Sequence, residues 1–116
     1  MLASLVERVS QARGAVFCDH EGESVELVIR DSTLAEYEMK VAGAQLAAIW
    51  LNLHDTVSGC GAGAVLELQV ACAAGTLLCR SLPDGYYVVL LLGRGGSGAS
   101  AAFALRSAAR QIAAEL

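Results

Sequence analysis

The chain has 116 residues, enough for one domain of ordinary size. It is 55% hydrophobic and 17% charged, which excludes a disordered chain and predicts more apolar surface than a monomer of this size buries. Its net charge of −4 argues against nucleic acid or an anionic membrane as the main partner, because both require a basic patch. We therefore expect a single domain, residues 1–116, that associates with other proteins.

The N-terminal segment is typical of a surface helix. Apolar residues from Leu2 to Ala12 recur at helical spacing and predict a first amphipathic helix, which Arg13 and Gly14 end. The segment lacks the cationic start and long apolar core of a signal peptide. The longest apolar run, residues 86–92, is far below the roughly 18 residues needed to span a bilayer. We expect a cytoplasmic protein without a membrane segment.

Two strands are predicted next, over residues 15–19 and 23–30. The loop His20-Glu21-Gly22 joins them, and its glycine suits the left-handed position of a short hairpin. Apolar and polar residues alternate in the second strand, which is typical of a strand with one solvent-exposed face near a sheet edge.

The central segment, residues 32–55, predicts a long helix with side-chain caps from Asp31 and Ser32. Its apolar residues form two stripes, where a surface helix ordinarily buries one face. The first stripe is Ala35, Met39, Ala42, Leu46, Ile49 and Leu53, and the second is Tyr37, Val41, Ala44, Ala48 and Leu51. We expect the sheet of the same chain on one side of this helix and another molecule on the other side.

Three strands and a helix complete the predicted order. The strands cover residues 64–72, 76–82 and 86–92, and Pro83-Asp84-Gly85 is a strong turn signal before the last of them. That last strand is continuously apolar, which predicts a place in the middle of the sheet with helices over both faces. A glycine-rich loop leads into a final helix over residues 99–116.

In this order of elements the chain resembles the Roadblock (dynein light chain) family over essentially its whole length. The features that carry the resemblance are Gly14-Ala15-Val16-Phe17 before Asp19-His20-Glu21-Gly22, the apolar central helix, Val65-Leu66-Glu67-Leu68, the turn Leu82-Pro83-Asp84-Gly85-Tyr86 with its following strand, and Ala104-Leu105-Arg106-Ser107-Ala108-Ala109.

The resemblance implies an α+β fold of order α-β-β-α-β-β-β-α. Its five-stranded antiparallel sheet has the first and last helices on one face and the central helix on the other. It also implies a homodimer that joins the two central helices and the edge strands that follow them, which would remove an exposed edge from each sheet. The expected interface residues are Tyr37, Val41, Ala44, Ala48, Leu51, Leu66, Leu68 and Val70.

Roadblock proteins are non-enzymatic adaptors and regulators, and this chain looks most like the bacterial Mgl branch, which governs cell polarity and gliding. The resemblance implies that the chain binds a Ras-like small GTPase or another Roadblock protein, without a cofactor or metal of its own. We expect the partner to contact the strip between the two stripes of the central helix, which consists of Glu36, Lys40, Gly43, Ala47, Trp50 and His54.

Each candidate contact has a plainer interpretation. Trp50 borders the first apolar stripe and is equally consistent with a core residue, and Glu36 and Lys40 are spaced as an ordinary helical ion pair. A second candidate contact is the acidic turn around His20, which consists of Asp19, His20, Glu21 and Glu23 and is also typical of a polar hairpin tip.

Other functional classes find less support in the sequence. Residues 93–98 match a dinucleotide-binding glycine pattern, but no strand follows them and no acidic residue stands where a ribose would need one. A ligand sensor of the PAS or GAF type would need a sizeable cavity, which the alanine-rich helix and short loops disfavour. An enzyme would need titratable groups gathered in one pocket, whereas His20 and His54 fall on separate elements.

The four cysteines lack the spacing of a zinc site. We expect reduced, buried thiols at Cys18, Cys60, Cys72 and Cys79, with a disulfide between Cys72 and Cys79 across a hairpin as the alternative.

Overall fold

The computed structural model describes residues 2–116, so Met1 lies outside the described residues. In chain order the elements are α1 (Leu2–Arg8), β1 (Ala12–Cys18), β2 (Ser24–Ile29), α2 (Glu36–Ser58), β3 (Glu67–Cys72), β4 (Gly75–Ser81), β5 (Tyr87–Gly93) and α3 (Gly98–Ala113). The strands form one sheet in the order β2-β1-β5-β4-β3, and all four neighbouring pairs are antiparallel. The predicted α+β class and element order are confirmed.

Two apolar layers hold the helices on the sheet. Alternate residues of the strands face opposite sides, so Ala15 and Leu90 pack with α1 and α3, whereas Val16 and Val89 pack with α2. Strand β5 is buried on both faces along most of its length, which confirms the central position that its unbroken apolar run predicts.

The first helix ends four residues earlier than its apolar spacing predicts. It stops at Arg8, and the chain turns into β1 at Ala12. The guanidinium of Arg30, at the end of β2, donates hydrogen bonds to the carbonyls of Val6 at 2.5 Å and Val9 at 3.0 Å. The Arg30 side chain, which follows β2, therefore binds carbonyl groups that the end of α1 leaves without intrahelical partners.

The predicted caps of the central helix are wrong. Helix α2 begins at Glu36 after Ala35, and no side chain caps it. Instead, the Asp31 carboxylate accepts hydrogen bonds from the Thr33 amide at 2.9 Å, the Thr33 hydroxyl at 2.7 Å and Arg13 Nε at 2.5 Å. These bonds form a turn before the helix and attach it to β1. They also lower the pKa of Asp31 to about 2, with the Thr33 hydroxyl as the largest cause.

Helix α2 approaches the sheet most closely at Gly43. A Cβ at this position would lie 2.9 Å from Cys18 Sγ and 3.1 Å from Val16 Cγ1, so no larger residue fits without a shift. The buried hydroxyl of Tyr87, on β5, donates a hydrogen bond of 2.6 Å to the Gly43 carbonyl. Burial raises the pKa of this phenol, which therefore keeps the proton that it donates. The helix is thus attached to the sheet at its middle.

Replacing Tyr87 with phenylalanine should lower the free energy of unfolding by about 1 kcal/mol, the usual net contribution of one hydrogen bond. The Gly43 carbonyl keeps its intrahelical bond, so the loss is that of the sheet-to-helix bond alone. Urea unfolding followed by circular dichroism measures the change. Tyr86→Phe is the matched control, because the Tyr86 hydroxyl has no hydrogen-bond partner among residues 2–116. Equal stability of Tyr87→Phe and the wild type would contradict the role of this bond.

Replacing Asp31 with asparagine should destabilise the chain at neutral pH and have less effect in acid. The pKa of Asp31 is lowered by folding, so its ionised form stabilises the native state above the usual pKa of 3.8. That contribution is lost as the pH falls from 3.8 towards 2. The difference in unfolding free energy between wild type and Asp31→Asn should therefore shrink over this interval. A difference that stays constant down to pH 2, or an equal effect of the exposed Glu38→Gln, would contradict the assignment.

Candidate interaction surface

The face of α2 that meets the sheet is centred on Gly43. Gly43 and two members of the first stripe, Met39 and Leu46, are buried there, and the half-buried Ala47 and Trp50 pack against the same core. The predicted partner strip is therefore wrong in its middle, because Gly43 is covered by the sheet and cannot be reached by a partner. Of its other members, Glu36 and Lys40 are exposed and His54 is half-buried.

The second stripe lies on the side of α2 that faces the β1–β2 hairpin. A Cβ at Gly22, in the hairpin loop, would lie 3.2 Å from the backbone of Ala44, and Lys40 lines a groove with residues 24–27. Tyr37 is 74% exposed and Leu51 is 65% exposed on this side, with Ala44 and Ala48 also exposed and Val41 half-buried. These residues lie away from β3, so the structure does not bring the two halves of the predicted dimer interface together.

The other members of the first stripe lie on the opposite side of α2, away from the hairpin. Ile49 is 50% exposed there, with the half-buried Ala42 and Leu53 beside it on the helix. On the sheet, Leu68 and Val70 of β3 face the same side as Leu77 and Cys79 of β4, with which they pair. We call this uncovered apolar region the β3 shelf; it consists of Ala42, Ile49, Leu53, Leu66, Leu68, Val70 and Leu77.

The edge strand that carries the β3 shelf is tied to the opposite face of the sheet. Glu67, at the start of β3, accepts hydrogen bonds from Arg106 of α3 at 3.0 and 2.9 Å, and it lies 3.5 Å from Arg80 of β4. The bonds to Glu67 raise the pKa of Arg106. Strand β3 is therefore held by β4 on one side and by α3 below, while its outer hydrogen-bonding edge stays open.

A small apolar cleft lies at the end of the sheet where the β1–β2 and β4–β5 connections meet. Its volume is about 170 Å³, and its walls are mainly apolar. We call it the hairpin-end cleft; it is lined by His20, Ala47, Trp50, Leu51, Ser81, Leu82, Gly85, Tyr86 and Tyr87. The structure thus places Trp50 beside the acidic turn, two features that the sequence analysis treated as separate candidates.

The thiols fall into two classes, which corrects the expectation that all four are buried. Cys18 and Cys79 are buried, and burial raises the pKa of Cys79 to about 12 and also raises that of Cys18. Cys60 and Cys72 are exposed, and all four cysteines are free thiols. The alternative of a Cys72–Cys79 disulfide is therefore wrong, since Cys72 pairs with Gly75 and Cys79 pairs with Leu68 in the β3–β4 ladder.

Three kinds of feature would point to a different role for the described residues: a metal site, a membrane-spanning helix and a dinucleotide-binding loop. Within residues 2–116, no three histidine, cysteine or acidic side chains are grouped to hold a metal ion. Across the same residues, no helix has both the length and the apolar character to cross a membrane. The loop at residues 93–98 connects an antiparallel strand to α3, whereas the dinucleotide pattern requires a parallel β-α-β unit.

The fold of this chain is similar to those of several solved structures. A Roadblock/LC7 domain from Streptomyces avermitilis superposes with a TM-score of 0.83 at 16% identity, covering 96% of this chain and 90% of that one. The chain has a Roadblock/LC7-type fold. MglB in a tetrameric arrangement matches with a TM-score of 0.87 at 13% identity, covering 97% of this chain and 82% of MglB. MglC from Myxococcus xanthus matches with a TM-score of 0.66 at 26% identity, covering 99% and 95%. No protein-family model and no curated protein sequence matches the chain.

The Roadblock fold explains which surface residues the sequence analysis missed. Ile49 and Leu53 were expected only as members of the first apolar stripe and not as interface residues, but they belong to the uncovered β3 shelf. The signal that would have corrected this is Gly43. A glycine in the middle of a helix costs about 1 kcal/mol relative to alanine, so it often marks a close approach to another element.

Proposed function

We propose that this chain is a non-enzymatic, homodimeric regulator of the Roadblock type. It binds a Ras-like small GTPase or another Roadblock protein in the bacterial cytoplasm, where it takes part in the control of cell polarity or gliding motility. The observation that carries the proposal is the β3 shelf, in which exposed apolar side chains accompany a strand at the edge of the sheet.

The β3 shelf has the features of a two-fold interface. An uncovered strand edge beside exposed apolar side chains is prone to aggregation unless another strand pairs with it. Two copies of β3 that pair antiparallel would extend the sheet and bring both α2 helices to the dyad, with Ile49 and Leu53 facing the partner. MglB, a structural neighbour, has been solved as a tetramer, which supports an oligomeric state for this chain as well.

A regulatory role follows from what such a dimer offers to other proteins. The apolar clefts of the described residues are small, about 170 and 180 Å³, below the ~300 Å³ that small-molecule sites usually occupy, and the larger depression of about 420 Å³ beside Arg13, Arg30 and Arg94 is lined mainly by polar and charged residues. A regulator that binds a partner protein can act by selecting one of the partner's conformations. The MglB and MglC neighbours support a partner among Roadblock proteins, and the small-GTPase partner rests on the family resemblance of the sequence.

Ile49→Glu and Val70→Lys should each weaken the dimer at least about 10-fold, because a charge buried in an apolar interface leaves its hydration uncompensated. In the single chain Val70 is 41% exposed and Ile49 is 50% exposed, so we expect the fold to tolerate both substitutions. Sedimentation velocity over a concentration series measures the dissociation constant.

Leu51→Glu is the matched control for this experiment, since Leu51 is 65% exposed on the other side of the same helix. The proposal expects Leu51→Glu to remain dimeric. Dissociation by Leu51→Glu but not by Ile49→Glu would place the interface on the second stripe. A wild-type chain that stays monomeric at all concentrations would overturn the proposed dimer.

The immobilised chain should recover a Ras-like GTPase or a second Roadblock protein from a lysate of its own organism, identified by mass spectrometry. Lysates supplied with GDP or with a non-hydrolysable GTP analogue separate a nucleotide-dependent GTPase from a constitutive Roadblock partner. If neither class is enriched over beads carrying an unrelated acidic protein of similar size, the proposed partners are wrong.

A further inference from the structure

The hairpin-end cleft has a mainly apolar lining, and acidic residues stand next to its lining residues in the chain: Asp19 and Glu21 flank His20, and Asp84 precedes Gly85. The three segments that build it are residues 18–24, 47–55 and 81–87, and together they contain five acidic residues and no lysine or arginine. The acidic residues are Asp19, Glu21, Glu23, Asp55 and Asp84. In the rest of the chain seven acidic residues are balanced by eight basic ones. The negative charge of the protein is therefore concentrated at this end of the sheet.

The loops beside the cleft are held in place by hydrogen bonds and close contacts. The Asp19 carboxylate accepts hydrogen bonds from the amides of Glu21 at 2.9 Å and Glu23 at 3.0 Å. A Cβ at Gly85 would lie 2.7 Å from His20 Cβ, so the β4–β5 turn is packed against the hairpin loop. A preformed surface of this kind loses little conformational entropy when a partner binds.

Within the described part of the chain, no lysine or arginine lines the cleft. Arg13, Arg30 and Arg94 line a depression at the opposite end of the strands, and Arg80, next to Ser81, pairs with Glu67 on the α3 side of the sheet. Lys40 lines a separate groove with residues 24–27, and His20 Nε2 lies 3.5 Å from a Glu21 carboxylate oxygen. The adjoining segments contribute no lysine or arginine, so the remaining carboxylate charge is available to a cationic partner.

We propose that the hairpin-end cleft receives one apolar side chain of a partner protein, from a segment in which lysine or arginine residues flank that side chain. The interior, against Trp50 and Leu51, has room for one large side chain. The acidic residues beside the cleft select the cationic flanks. Half-buried tryptophan at the wall of a cleft is a typical interface anchor. This inference rests on the proposed function in that a regulator acts through a bound partner, but it does not require the dimer.

Trp50 is the only tryptophan of the chain, so its fluorescence reports directly on the cleft. The probes are three synthetic peptides: a leucine between two pairs of lysines, the same peptide with alanine for leucine, and the same peptide with glutamates for lysines. The leucine–lysine peptide should shift the Trp50 emission saturably. The alanine peptide should bind about 5-fold more weakly, because it buries fewer methylene groups, and the glutamate peptide should give no saturable change.

Removing two acidic charges beside the cleft gives the complementary test. The double variant Glu21→Gln with Asp84→Asn should bind the leucine–lysine peptide about 5-fold more weakly at low salt, with the difference shrinking at high salt. Asn is suitable at position 84 because Asp84 has a φ of 62°, which asparagine also tolerates. The control is Glu7→Gln with Glu115→Gln, two exposed carboxylates on other elements, which should bind like the wild type.

Equal binding of the three peptides, an unchanged Trp50 emission, or equal weakening by the control pair would overturn the inference. Sedimentation of the same samples keeps this result separate from the proposed function. A dimer that ignores all three peptides would reject the cleft alone, and a monomer that binds the leucine–lysine peptide would reject the dimer alone.

Discussion

The contact of Gly43 with the sheet is the constraint on which the rest of this structure depends. Because position 43 has no side chain, the axis of α2 lies close to β1, and the Tyr87 hydroxyl reaches the Gly43 carbonyl at 2.6 Å. This contact sets the rotation of the helix about its own axis. Each residue turns the helix by 100°, so the position of every other α2 side chain follows from it.

The fixed rotation divides the apolar surface of α2 into two regions with different neighbours. The flank of Ile49 and Leu53 lies on the side of α2 away from the hairpin and carries exposed apolar surface, and the sheet ends at β3 in an open edge with its own exposed apolar side chains. The flank of Leu51 faces the hairpin, where the β4–β5 turn closes a small cleft. An apolar shelf beside a free strand edge is suited to a second copy of the same chain, whereas a small apolar cleft with acidic residues in its adjoining segments is suited to a single cationic segment.

Electrostatics reinforces this division. Glu67 forms ion pairs with Arg106 and Arg80, which anchor the edge strand and leave a net positive charge beneath β3. At the hairpin end, the Asp19 carboxylate accepts the hydrogen bonds of its own loop, and the adjoining segments contain no lysine or arginine. The underside of the β3 edge is thus cationic, and the hairpin end is anionic. The fold itself is shared with solved structures that are as little as 11% identical to this chain.

The element order, the central place of β5 and the hairpin turns follow from local patterns, since strand alternation and turn residues act over a few positions. The start of α2 and the end of α1 do not, because Asp31 binds Arg13 and Arg30 binds the Val6 carbonyl across about 20 residues of sequence. Two apolar stripes with a glycine between them were visible in the sequence alone. Only the tertiary structure decided that Gly43 faces inward, because the absence of a Cβ is favourable only where another element comes close enough to need the space.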